Sequence, residues 1–135
     1  NITKVSSLVA RENKVRRRLL DFQRSFANSP PSSNGSVIDG RDIGTVVIPN
    51  AEVKFFIDAD IEVRAKRRFL DHASNGENIE YEFVLQKLKE RDHRDKQRKN
   101  SPLIIHKEAV LIDSTYKTPE ECLNFALKHT KMLSK

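Results

Sequence analysis

Along the chain, apolar positions follow two spacings. Val15, Leu19, Phe22 and Phe26 recur at helical intervals and predict a helix over 13–27, with Arg16, Arg17 and Arg18 mostly off the stripe. A shorter helical stretch precedes it over 2–11. Residues 28–35, NSPPSSNG, read as turn or loop. Beyond them the apolar runs become short and continuous. Val37 and Ile38 run into Asp39, Val53 and Phe55–Ile57 end at Asp58, and Val110–Ile112 end at Asp113. Runs of this kind, bounded by Gly and Pro, predict parallel strands buried on both faces, here at 36–39, 53–58 and 110–113.

Helical spacing returns between the second and third strands. Ile61, Ala65 and Phe69 share one face of a helix over 60–75, Arg64, Arg67 and Arg68 line another, and Gly76 is placed to cap its end. A longer helix over 79–98 carries Tyr81, Val84, Leu85 and Leu88 on one stripe. The same face continues through Arg91, Asp92, Asp95 and Arg98, so it turns from apolar to charged while the helix goes on. Asn100, Ser101 and Pro102 break it. After the third strand, Thr118 and Glu121 form a capping box with Pro119 at the first helical position, opening a helix that carries Cys122, Phe125, Ala126 and Leu133 on one face. Strands alternating with helices give an α/β class with a parallel sheet. Three strands make a small sheet, and the chain begins at Asn1 in what reads as mid-helix, so the N-terminal part of a larger protein is expected to lie outside it.

Composition narrows the partners more than the fold. The 135 residues, 37% hydrophobic and 33% charged, suit one globular domain without a membrane-spanning run or a signal-peptide core. The single Cys122 excludes an internal disulfide and fits a reducing cytoplasm. A net charge of +6 favours an anionic partner: nucleic acid, a nucleotide or phosphate. The absence of Trp and the presence of only two Tyr argue against a stacking surface for single strands.

The chemistry concentrates in two places. Ligands of open parallel sheets bind beyond the carboxyl ends of the strands, which is where Asp39, Arg41 and Asp42 fall in the DGRDIGT loop. An aspartate at such a strand end is also where nucleotide-binding folds hold magnesium. The second place is the charged end of the long helix, where Arg91, Asp95 and Arg98 stack on one side. Each has an ordinary alternative: Asp39 and Asp42 as turn caps with Arg41 paired to either, and the KERDHRDKQRK run as a solvated end with helix salt bridges. Arg64, Arg67 and Arg68 divide the same way between a solvated face and a phosphate site. His72, His93, His106 and His129 lack metal-ligand spacing. None of the four glycines opens a G-x-x-x-x-G-K-[ST] loop, so nothing in these residues cradles a nucleoside triphosphate.

Taken in series, SSLVARENKVRRRLLDFQR, DGRDIGTVVIPNAEVKFFIDA, RAKRR, KERDHRDKQR and VLIDST resemble the bacterial cytidylate kinases, which phosphorylate CMP and dCMP. The resemblance covers nearly the whole chain, and the chain about the last three-fifths of the family's usual length. It implies a P-loop nucleoside monophosphate kinase fold whose P-loop strand and first helix would precede Asn1. Residues 1–30 would end the monophosphate-binding region, 36–59 hold core strands and the DGRD loop, 60–78 a lid-like helix, and 79–135 core helices and the last strand. Ser7, Arg16, Asp42 and Arg98 match positions facing the cytosine base. Arg41 matches an arginine on the acceptor phosphate, and Arg91 with Asp95 the pair on the sugar. Asp39 matches the aspartate near Mg²⁺, held through water. Arg64, Arg67 and Arg68 resemble lid arginines that approach the phosphates of ATP, with Arg94 a further phosphate contact. The PPSSNGS stretch is longer than the family's pattern. The resemblance implies ATP and Mg²⁺ as cofactors, CMP or dCMP as acceptor, no membrane, no nucleic acid, and a monomeric cytoplasmic enzyme whose present 135 residues alone are inactive. A basic, non-catalytic nucleic-acid-binding domain is the alternative from another class; it would put the basic residues on exposed faces, whereas a kinase would converge Arg41, Asp42, Arg91, Asp95 and Arg98.

Overall fold

The computed structural model describes residues 13–32, 35–97 and 102–133. The helix expected over 2–11 lies outside them. Helix α1 spans Asn13–Asn28. A five-residue π-helical turn follows at Ile43–Val47. Strand β1 is Phe55–Asp58 and β2 is Val110–Asp113, with helices α2 (Ile61–Ser74) and α3 (Tyr81–Gln97) between them and α4 (Pro119–Leu133) after.

The two strands pair in parallel, with Phe55 opposite Val110 and Asp58 opposite Asp113. A parallel pair cannot be joined by a tight turn, and α2 and α3 form the crossover that it requires. Flanking amides lengthen the ladder: Val110 N–H donates to the Lys54 carbonyl and Ser114 N–H to the Asp58 carbonyl, each at 2.8 Å. The chain is thus α/β with a parallel sheet and flanking helices.

The segment 36–39 corrects the sequence reading, because it is not a strand and Val37 is 99% exposed. A strand exists only when a neighbour takes up its N–H and C=O groups, and no described segment pairs with this one. The described sheet therefore has two strands where three are predicted. Burial on both faces also fails in part: Ile112 is 2% exposed, but Ile57 is 64% and Leu111 54% exposed.

The tightest packing lies between α2 and α3. Ala65 is fully buried, Val84 is buried, and Phe69 meets Tyr81 edge-on with ring centroids 6.2 Å apart. The Asp60 carboxylate caps α2 by accepting from the amides of Glu62 and Val63 at 2.8 and 3.2 Å. At its other end Gly76, with φ +75°, donates to the Ala73 carbonyl while Glu77 N–H reaches back to His72, both at 3.0 Å. That is a Schellman closure, and its left-handed residue is what glycine supplies at no steric cost. The predicted capping box of α4 forms: Thr118 N–H donates to Glu121 at 2.7 Å and Glu121 N–H to the Thr118 hydroxyl at 3.2 Å. No helix among the described residues is long and apolar enough to cross a membrane.

Candidate functional site

The DGRD loop owes its shape to the π-turn behind it. The Asp42 carbonyl accepts from both Val46 and Val47 N–H, at 2.9 and 3.1 Å, and the Ile43 carbonyl from Ile48 N–H at 2.7 Å. Gly40 lets the Ile43 side chain fold back over it: a Cβ there would sit 2.9 Å from Ile43 Cγ1 and make that side chain shift. The turn sends two consecutive side chains to different elements. Asp42 Oδ2 accepts from Arg16 Nη2 of α1 at 2.9 Å. Arg41 Nε donates to Asp95 Oδ2 of α3, also at 2.9 Å. Arg91, one turn before Asp95 on the same helix, brings its Nε to 3.9 Å from the same oxygen.

One carboxylate oxygen is thus shared by two arginines. Burial, then the Arg41 charge, and further the Arg68 charge, push the Arg91 pKa below its ordinary value, with Asp95 and Asp92 opposing. A guanidinium whose charge is opposed by neighbouring cations and burial gains from an added anion. Arg68 itself makes no hydrogen bond or ion pair among the described residues. Arg41 and Arg91 at Asp95, with the Arg68 charge acting on Arg91, therefore have the charge and the planar donors that a phosphate group requires.

Other predicted residues are engaged elsewhere. Arg64 makes a two-pronged pair with Asp92 at 3.1 and 2.8 Å and donates Nε to the Ala59 carbonyl at 2.9 Å. Its pKa is raised, first by the Asp92 hydrogen bonds. Arg67 reaches the loop after β2, donating to the Ser114 carbonyl at 2.7 Å and more loosely to those of Thr115 and Lys117. Arg94 folds back on the Glu90 carbonyl of its own helix at 3.1 Å. Asp39 is exposed in coil, without a polar partner among the described residues. Ser7 and Arg98 lie outside the described residues. The ordinary alternative for Arg41, pairing with Asp39 or Asp42, is not what forms: its partner is 54 residues away.

Sequence reasoning passed over Arg24, whose Nε and Nη2 donate to the carbonyls of Val47 and Val46 at 3.0 and 3.1 Å. Nothing in local spacing signals an arginine aimed at backbone carbonyls. It also passed over an open hollow of about 690 Å³ lined in part by Phe69, Tyr81, Thr115 and Tyr116, on a different side of α2 from Arg64 and Arg68. No group of three His, Cys, Asp or Glu side chains among the described residues could enclose a metal ion. Magnesium needs no such enclosure, since it keeps several waters and binds through one or two carboxylates plus substrate phosphates. The unpartnered Asp39 beside Arg41 fits that mode.

Similarity to known proteins identifies the family. The cytidylate kinase family model matches residues 1–132. A cytidylate kinase of Rhodospirillum rubrum is 46% identical over 125 residues, 92% of this chain and 59% of that protein. One from Rhodopseudomonas palustris (strain TIE-1) is 46% identical over 115 residues, 85% of this chain and 53% of its own length. A third, from Proteus mirabilis, is 41% identical over 120 residues, 89% of this chain and 52% of that protein. The chain spans between half and three-fifths of the length of these relatives. With a family match running through almost all of its residues and through both halves of the arginine–aspartate cluster, the chain belongs to the cytidylate kinase family.

Proposed function

We propose that this chain forms the acceptor side of a nucleoside monophosphate kinase that transfers the γ-phosphoryl group of ATP to CMP or dCMP. The observation that carries the reading is the convergence of Arg41 and Arg91 on one oxygen of Asp95, at 2.9 and 3.9 Å, within the field of Arg68. Asp95 holds the two guanidinium groups near each other. An incoming phosphate replaces that carboxylate on Arg41, and Asp95 is released toward the hydroxyls of the sugar. Arg16 and Asp42, joined at 2.9 Å, face the base, with Ser7 and Arg98 as further base contacts.

Phosphoryl transfer asks little covalent chemistry of a protein and much positioning and charge compensation. Arg41 orients the acceptor phosphate and Arg91, with Asp95, the sugar beside it; Arg68, Arg64, Arg67 and Arg94 are the candidates for the donor's phosphates. Arg64 and Arg67 must leave Asp92 and the loop after β2 to serve there, which makes closure over ATP a rearrangement of existing bonds. Magnesium, when bound with ATP, supplies further charge neutralisation, and Asp39 is the residue that would hold it through water. The family match does not favour the nucleic-acid-binding alternative, and Arg16, Arg41 and Arg64 are engaged with aspartates rather than presented as a basic face. A soluble monomer acting in the cytoplasm is part of the same proposal.

Calorimetric titration of the chain with CMP, dCMP and a single-stranded oligonucleotide tests it. Saturable binding of the monophosphates without binding of the oligonucleotide is expected; the reverse result would overturn the proposal. The chain alone, holding no glycine–lysine phosphate loop, is expected not to convert CMP to CDP with ATP, and turnover would refute that part.

A further inference from the structure

Arg24 lies outside the site described above, and its two bonds fall where the π-turn leaves acceptors unused. The turn's own hydrogen bonds end on the Asp42 and Ile43 carbonyls. The carbonyls of Val46 and Val47 lie beyond them, at the negative end of the turn, where helical peptide groups lack internal partners and attract cations. Arg24 takes both with one guanidinium, at 3.1 and 3.0 Å. Eight residues earlier on the same helix, about 12 Å along its axis, Arg16 holds Asp42 at the front of the turn at 2.9 Å. Helix α1 therefore grips the turn at both ends, and Arg41, next to Asp42, ties that turn to α3.

We propose that Arg24 is a positioning residue for the acceptor nucleotide: by fixing the π-turn against α1 it sets the separation between Arg16, on the base side, and Arg41, on the phosphate side. The inference rests on the acceptor-site reading. A ligand held at both ends gains affinity because binding one end presents the other at high effective concentration, a gain that depends on the two subsites keeping their spacing. Loosening the turn lowers that gain and leaves each subsite's own affinity in place. The rigid guanidinium fork spans the two successive carbonyls with less loss of freedom than a lysine ammonium, whose three donors sit on one nitrogen at the end of a flexible stem, so lysine does not replace it.

The test uses the chain with Arg24→Lys and Arg24→Ala, and Arg17→Ala as a control on the same helix. Calorimetry measures CMP, cytidine and inorganic phosphate, and hydrogen exchange follows the amides of Val46, Val47 and Ile48. Both Arg24 variants are expected to bind CMP about tenfold more weakly, a loss of about 1.4 kcal/mol, with cytidine and phosphate unchanged and the three amides exchanging about tenfold faster. Should Arg24→Ala not fold, Arg24→Lys decides. Unchanged exchange overturns the grip on the turn. Faster exchange with unchanged CMP affinity, or cytidine weakened as much as CMP, overturns the positioning role. Failure of the unsubstituted chain to bind CMP overturns the acceptor-site reading and the role built on it, and the exchange rates still report separately whether Arg24 holds the turn.

Discussion

Arg41→Ala separates what the guanidinium does for the fold from what it does for a ligand. Its protein partner is Asp95 at 2.9 Å, with the two side chains 44% and 19% exposed. Ion pairs in contact with water contribute about 0.2–1 kcal/mol. Asp95 is not stranded by the change, since Arg91 remains 3.9 Å away. For a chain of this size about 1 kcal/mol corresponds to roughly 3–5 °C in Tm, so a fall in Tm beyond that range is not expected. Binding is another matter. A hydrogen bond to a charged group contributes about 1.5–3 kcal/mol, which predicts a loss of about 10- to 150-fold in CMP affinity. Cytidine, without the phosphate, should change by less than about twofold. Arg41→Lys, a point charge without the fork, should fall between. Calorimetry with both ligands at low and high salt, beside thermal melts, gives all these quantities. An equal loss for cytidine and CMP would refute a phosphate contact, and so would CMP affinity that stays within about twofold.

Three further outcomes follow from the packing of the helices. Arg64→Ala removes both prongs on Asp92 and the bond to the Ala59 carbonyl, and should cost about 1–2 kcal/mol in urea unfolding at an unchanged m-value, with Arg64→Lys recovering less than half. Ala65→Leu puts added volume where no space is exposed, and should cost about 1–3 kcal/mol by the same measurement. The Glu121 carboxyl is held below its usual pKa by the Thr118 amide and then the Thr118 hydroxyl. Its contribution is therefore complete above the unfolded value of about 4.3 and disappears as pH falls through the lower folded value. Melts between neutral and acid pH should show that step, and Glu121→Gln should abolish it.

Much of this was legible locally. Capping box, Schellman glycine, the Ile61–Ala65–Phe69 face and the two paired strands each depend on neighbours within one helical turn or one short run, so spacing reveals them. The charged end of α3 was legible as a break in a stripe. What was not legible depends on distant partners. The apolar residues of 36–39 promise a strand, but the promise is kept only by a neighbouring strand, which no periodicity reports. The π-turn arises from a carbonyl taking two amides and has no sequence signature in IGTVV. Arg16 with Asp42 and Arg41 with Asp95 lie 26 and 54 residues apart, so the residues could be singled out but not matched. Arg24 and Arg67 bind main-chain carbonyls, and any residue can supply those.

The crowding of cations around Arg91 has a consequence in reagent chemistry. Dicarbonyl compounds such as phenylglyoxal attack arginine through its neutral form, and burial together with Arg41 and Arg68 makes that form easier to reach at Arg91 than at an ordinary arginine. Under limiting reagent, peptide mapping should find the adduct at Arg91 ahead of Arg64, whose pKa moves the other way. The same charge imbalance that draws an anion to the cluster thus marks Arg91 as more sensitive to electrophiles than Arg64, and an occupying phosphate should shield it.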